Sequence, residues 1–217
     1  MNKIVAFGDS YTYGHGLDDC WVNNNPGNIC SSYAWPAVLA KNLDYSVVNS
    51  SGPGLSNMAI LHRILNTKFD KNSVCIIMWS FPSRDMIFNK NYMPHISMFN
   101  TNRDYTNRVT HVGNWMNDDV TTNWMLAHNN TDLVMRSWLH IHHANLYLSS
   151  LNIKHYNFFI NYSQLKSHKP SYVDIPFKDI HVERFIDKAL DDDHPGIKTQ
   201  ERIATDIQQC LTEANII

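Results

Sequence analysis

The sequence predicts an α/β domain of three layers, α/β/α, with a central parallel sheet between helices, and three observations carry that expectation. Apolar runs rich in β-branched residues recur at Lys3–Phe7, Tyr45–Asn49 and Ser73–Trp79. They are near-continuous rather than alternating, as strands covered on both faces require. Segments with helical spacing separate them, and the alternation of strand and helix continues to the C-terminus. Finally, the 217 residues are 43% hydrophobic, enough for one sizeable core, and no linker, repeat or charge block divides them. Residues 1–217 are therefore expected to form one domain.

Taken in order, Lys3–Phe7 opens the sheet. The segment SYAWPAVLAKNL that follows places Trp35, Val38 and Leu39 on one helical face, with Ser31 or Ser32 available as N-cap and Pro36 tolerated in the first turn. After the strand at Tyr45–Asn49, Ser56 can cap a helix carrying Ile60, Leu61, Ile64 and Leu65 on one side. Ser73–Trp79 is the third strand, and Cys75 within it is a core residue. From Arg84 to Asn130 sustained periodicity lapses, which reads as an insertion at about 85–130. A helix over 132–148, presenting Val134, Trp138, Ile141 and Leu148, leads to a fourth parallel strand over 156–160. A last helix carries Ile203, Ile207, Cys210 and Leu211.

Charge and composition exclude several classes of function. With 18 basic and 20 acidic residues the formal charge is −2, so nothing draws the chain broadly to nucleic acid phosphates or an anionic membrane. No run approaches the roughly 18–20 apolar residues of a membrane span, and MNKIVAFGDS enters a strand without an apolar leader. A cytoplasmic protein is expected. Cys20, Cys30, Cys75 and Cys210 show no metal-ligand spacing and read as free thiols, although Cys20 and Cys30 flank an Asn-rich loop that an oxidising setting could close.

In a doubly wound sheet, ligands bind beyond the carboxyl ends of the strands. The first strand ends in Gly8-Asp9-Ser10-Tyr11, where a sharp turn presents the Ser10 hydroxyl at the sheet rim. A serine hydroxyl needs a base, and an imidazole oriented by a carboxylate suits that task near neutral pH. Asp191-Asp192-Asp193-His194-Pro195-Gly196 offers one: at a spacing of three, Asp191 can reach the His194 Nδ1 and leave Nε2 facing Ser10. A plainer reading makes the same aspartates a cap for the last helix. After the second strand, Asn49-Ser50-Ser51-Gly52-Pro53-Gly54 precedes a helix, and the Gly54 amide, or failing it Gly52, can donate to an oxyanion.

Taken together these segments resemble the SGNH, or GDSL-type, hydrolase family. GDSY at 8–11 matches the block that carries the nucleophile, here Ser10; Asn49 and Gly54 match the second block; Asp191-x-x-His194 matches the last. The resemblance implies a flavodoxin-like fold and ester cleavage through an acyl-serine intermediate, with Ser10, Asp191 and His194 as triad and without metal or cofactor. GHGL at 14–17, AWP at 34–36 and PGLSN at 53–57 look like a subgroup of phage and bacterial genomes, which would admit virion association. One block departs from the family. Its strand usually ends Gly-x-Asn-Asp, whose Asn completes the oxyanion hole, whereas here the third strand ends Met78-Trp79-Ser80-Phe81-Pro82-Ser83-Arg84. Ser80 is the candidate replacement donor, Arg84 a substrate-orienting residue, and Asp9, Tyr11 and His15 further substrate contacts.

The alternatives within the same fold are an acyltransferase, or a binding module with weakened turnover. His140 and His143 share a helical face but lack a nearby carboxylate, so no metal site is expected there. Trp115, Trp124, Tyr92, Tyr105 and many Asn side chains in the insertion suit a sugar ester, while Met98, Phe99, Met116 and Met125 suit a small local core. The expected partner is a small-molecule or glycan ester, with no nucleic acid or membrane.

Overall fold

The computed structural model describes residues 2–22, 25–26, 29–88, 109–113, 116, 118–166, 168–180, 182 and 184–217. In chain order the elements are β1 (Lys3–Phe7), α1 (Ser10–Tyr13), β2 (Trp21–Val22), β3 (Asn25–Pro26), α2 (Trp35–Leu43), β4 (Ser46–Asn49), α3 (Asn57–Leu65), β5 (Ser73–Trp79), β6 (Arg84–Phe88), β7 (Val109–Gly113), α4 (Asp119–Ala127), α5 (Asn130–Ser150), β8 (Lys154–Phe159), α6 (Tyr162–Lys166), β9 (Phe177–Asp179) and α7 (Ile197–Glu213). The central sheet runs β4-β1-β5-β8-β9 and every pairing in it is parallel.

Alternation along each strand builds two cores. Val5 and Phe7 of β1, with Cys75, Ile77 and Trp79 of β5, face α3 and α5, where Ile60, Ile64, Trp138 and Ile141 meet them. Ile4, Ala6, Ile76 and Met78 face the other way, onto Trp35 and Leu39 of α2 and Ile203, Ile207 and Leu211 of α7. Full burial of each such side chain contributes roughly 1.5–3 kcal/mol, which is why β1 and β5 read as unbroken apolar runs.

Four differences from the sequence-based expectation have physical causes. A fifth parallel strand, β9, is only three residues of mixed polarity, FKD, too short to show a period. β4 lies at the sheet edge, and Val47 and Val48 remain exposed, so it is not covered on both faces. The Ser31 and Ser32 hydroxyls do not cap α2; both donate to Asp19, and the α2 N-cap is Ala34. The Trp35 amide at that helix start is instead satisfied from far along the chain, donating to Gln200 Oε1 at 2.9 Å. Last, the described part of 84–130 is not without order: β6 and β7 pair as an antiparallel ribbon apart from the central sheet, and α4 follows it. Ser56 does cap α3, accepting from the Ala59 amide.

Candidate active site

The carboxyl ends of β1, β4 and β5 meet at one rim of the sheet, and the turn from β1 into α1 is fixed there from several directions. Gly8 is required by close approach, because a Cβ at that position would lie 2.0 Å from Thr12 Oγ1. Asp9, fully buried, is the α1 N-cap and accepts from the Tyr11 amide at 3.0 Å. Asn49 Nδ2 donates to Thr12 O at 2.7 Å, Gln200 Nε2 donates to Tyr11 O at 3.0 Å, and the Gly52 amide donates to Gly8 O. Ser10 opens this short helix, 4% exposed. Gly54 sits in the loop between β4 and α3 at φ +69°, where the left-handed backbone favours glycine.

Across from this turn, Asp191 and His194 meet. His194 Nδ1 lies 2.6 Å from Asp191 Oδ2, while Asp191 Oδ1 accepts from the amides of Asp193 and His194. Partial burial works to raise the Asp191 pKa, but the facing His194 and these hydrogen bonds prevail and hold it below the usual carboxylate range. An ionised carboxylate only accepts, so His194 Nδ1 is the donor in this contact and Nε2 is the ring nitrogen it leaves unengaged by Asp191. The His194 ring packs edge-on against Tyr11 at 5.6 Å, which seats it on the turn that bears Ser10. The hairpin that carries it is closed by the Ala189 amide donating to His194 O and by an antiparallel bridge between Lys188 and Pro195.

The plainer reading of the aspartates is answered by Asp187. It accepts from the Lys198 and Thr199 amides at the start of α7, so that helix is capped without Asp191. Sequence reasoning assigned no role to Asp187, Gln200 or Asn57, because each acts on residues distant along the chain.

Ser80 departs from its expected place as a free oxyanion donor. Its hydroxyl donates to Asp9 Oδ2 at 2.8 Å and accepts from Arg84 Nη1 at 3.1 Å, so its single proton is committed to a buried carboxylate. Its backbone is clamped by Asn57, which accepts from the Ser80 amide and donates to the Ser80 carbonyl. Arg84 Nη1 binds Asp9 Oδ2 at 2.7 Å, and the guanidinium stands over the Phe81 ring. Asp9 thus lies behind the turn as an anchor for Ser80 and Arg84 rather than in the open cleft.

His15 sits nearer to the centre than its sequence context indicated. Its Nε2 is 3.8 Å from Asp191 Oδ2, and its ring centroid is 4.6 Å from that of His194. Asp19, near it in sequence, is bound instead to Ser31 and Ser32. Burial pushes the His15 pKa below its ordinary value, and repulsion from His194 adds to this.

Among the insertion residues, Trp124 stacks on His128 and Met116 is exposed; Tyr92, Met98, Phe99, Tyr105 and Trp115 lie outside the described residues. A cavity of about 410 Å³ opens beyond β5, lined by Pro82, Ser83, Leu133, Val134, Gln164 and His168; Ser10 and His194 do not line it. No described helix is long and apolar enough to cross a membrane.

The sequence matches no protein-family model and no curated protein. Solved structures do match the fold. A carbohydrate acetylesterase from Sinorhizobium meliloti aligns over 100% of both chains at 10% identity with a TM-score of 0.57. A psychrotrophic esterase from Pseudoalteromonas, inhibited by monoethylphosphonate, aligns over 100% of both at 12% identity and 0.56. A member of the lipolytic G-D-S-L family from Veillonella parvula aligns over 98% of this chain and 99% of its own at 14% identity and 0.51.

Proposed function

We propose that this chain, which has the SGNH or GDSL-type hydrolase fold, is a serine ester hydrolase with Ser10 as nucleophile, His194 as general base and Asp191 as the group that orients it. The observation that carries this reading is the 2.6 Å contact between His194 Nδ1 and Asp191 Oδ2, made by an aspartate that α7 does not need. With Nδ1 protonated, Nε2 takes the Ser10 proton as Oγ attacks the ester carbonyl, and His194 then returns that proton to the departing alkoxide. Water repeats the sequence on the acyl-serine. The Ser10 and Gly54 amides receive the oxyanion, and with Ser80 turned to Asp9 the hole runs on two donors; one missing donor typically costs roughly 10²–10³ in rate.

The substrate proposed is an acetylated carbohydrate or a similar small ester. Support comes from the carbohydrate acetylesterase among the matching folds. On this reading 1–217 is one domain, with 85–130 inserted after β5.

The test is covalent labelling by a fluorophosphonate, read by intact mass, beside acetate release from p-nitrophenyl acetate and from an acetylated oligosaccharide. Stoichiometric labelling of the wild type, lost in Ser10→Ala, is expected. A folded wild type that neither labels nor hydrolyses would favour a binding module, for which the two-donor hole is the motivating observation. Acyl transfer to an added sugar, seen in the products, would favour the acyltransferase.

A further inference from the structure

His15, Asp191 and His194 each bring one donor atom to within 4.8 Å of the other two, and among the described residues they form a grouping with the reach to hold a metal ion. His15 Nε2 and His194 Nδ1 address the same oxygen, Asp191 Oδ2, at 3.8 and 2.6 Å. The three side chains are 12–19% exposed, lined by protein yet open to small solutes. The placement of His15 is built in: it stands between Gly14 at φ +80° and Gly16 at φ +82°. The Leu190 amide donates to Gly16 O at 2.9 Å, and a Cβ on Gly16 would stand 2.8 Å from the Asp191 carboxylate. Two loops are thus pressed together where His15 meets Asp191. Orienting His194 for catalysis requires the second contact; it does not require another imidazole on the same oxygen.

Two imidazoles and one carboxylate are a donor set for a borderline divalent ion. Bonds of about 2.0–2.2 Å put the ligands of one tetrahedral ion roughly 3.3 Å apart, so side-chain movements on the order of 1–2 Å close this trio onto it. We propose that His15, Asp191 and His194 form a reversible inhibitory site for Zn²⁺. The inhibitory sense rests on the role of His194 proposed above. Zn²⁺ bonds to the His194 Nδ1 lone pair, the Nδ1 proton moves to Nε2, and the imidazole neither gains nor loses a proton. Nε2–H cannot accept the Ser10 proton. Asp191 and His15 Nε2 supply the other protein bonds, and solvent completes the shell.

The experiment is calorimetric titration of EDTA-stripped protein with ZnCl₂, beside p-nitrophenyl acetate hydrolysis over the same concentrations. One Zn²⁺ per chain is expected, with inhibition at the same midpoint and recovery on adding EDTA. His15→Gln should weaken both binding and inhibition by about 10-fold or more, since even changes outside a metal's direct ligands cost 10–100-fold. The visible spectrum of the wild type with Co²⁺ gives a reading independent of any variant, and intense tetrahedral bands are expected. Absence of saturable binding, weak octahedral bands alone, binding in His15→Gln as tight as in the wild type, or hydrolysis that rises with Zn²⁺ would each overturn the inference. Stripped protein that hydrolyses ester but binds no Zn²⁺ sinks this site and leaves the hydrolase reading standing. Zinc held by the trio in a protein that neither labels nor hydrolyses upholds the site and sinks the hydrolase.

Discussion

Asp187 accepts a hydrogen bond from the Thr199 amide at 2.8 Å and another from the Thr199 hydroxyl at 2.8 Å. The last helix therefore takes its cap from a carboxylate four residues ahead of Asp191, outside the acidic run 191–193, and does not need Asp191 for it. Asp187 stabilises; Asp191 is left to hold His194.

That division predicts opposite effects of two similar substitutions. Asp191→Asn should lower kcat by about 10⁴, because an amide facing Nδ1 no longer fixes the tautomer, with little loss of stability. Asp187→Ala should lower stability by about 0.5–2 kcal/mol through the lost cap, with kcat per folded molecule near wild type. Urea titration beside steady-state kinetics separates them, and a silent Asp191→Asn would remove it from the mechanism.

A second expectation concerns acid. Burial, with the neighbouring His143 and Arg136, pushes His140 down to about 4. The unfolded chain, with an ordinary value near 6.5, then binds the proton that the folded chain refuses, so stability falls as pH drops from about 6.5 toward 4. For His140 alone the loss between pH 7 and pH 5 is about 2 kcal/mol at most. His15, His62 and His111 are pushed in the same direction, mainly by burial, and add to the slope. Urea midpoints at the two pH values should differ less in a folded His140→Gln than in the wild type; equal slopes would refute the assignment.

The pair Arg84 and Asp9 gives a third. Asp9 is fully buried, and Arg84 is the cation within 2.7 Å of it. Removing one partner of such a pair costs about 3–5 kcal/mol, because the remaining charge stays buried without its counterion. Arg84→Met should show that loss, and Asp9→Asn combined with Arg84→Met should recover part of it. Additive effects in the double-mutant cycle would mean that the two do not act as a pair. Ser80→Ala, which removes only a neutral donor to Asp9, should lower kcat by well under 10²-fold; a larger fall would return its hydroxyl to the oxyanion.

Much of this was legible in the sequence, for reasons that vary by residue. β1 and β5 declare themselves because both faces are buried, and Asp191 and His194 because a carboxylate and an imidazole three residues apart can meet within one tight turn. β9 has no such signal, being three residues held by its neighbour's register. The Gln200 bonds to Trp35 and Tyr11 span 165 and 189 residues, so the fold alone brings them together. Ser80 misled for another reason. Its position at the end of β5 suits a donor, but its direction is set by Asp9 and Asn57, which only the packed structure supplies.

Gly16 tests the alignment of the whole site from outside the reacting groups. At φ +82° a residue with a side chain is strained by roughly 1–2 kcal/mol, and here the added methyl would also stand 2.8 Å from the Asp191 carboxylate. Gly14 shares the backbone strain at φ +80°, but its Cβ would meet Ser31, Ala34 and Leu17 instead. Gly16→Ala and Gly14→Ala should therefore lose comparable stability. Gly16→Ala should in addition lower kcat by on the order of 10²-fold, because displacing a positioned group by about 1 Å costs that much. Thermal unfolding of both variants fixes the shared part, and their kcat values at a temperature where both are folded give the difference. Equal kcat in the two would mean that the approach of Gly16 to Asp191 does not position His194.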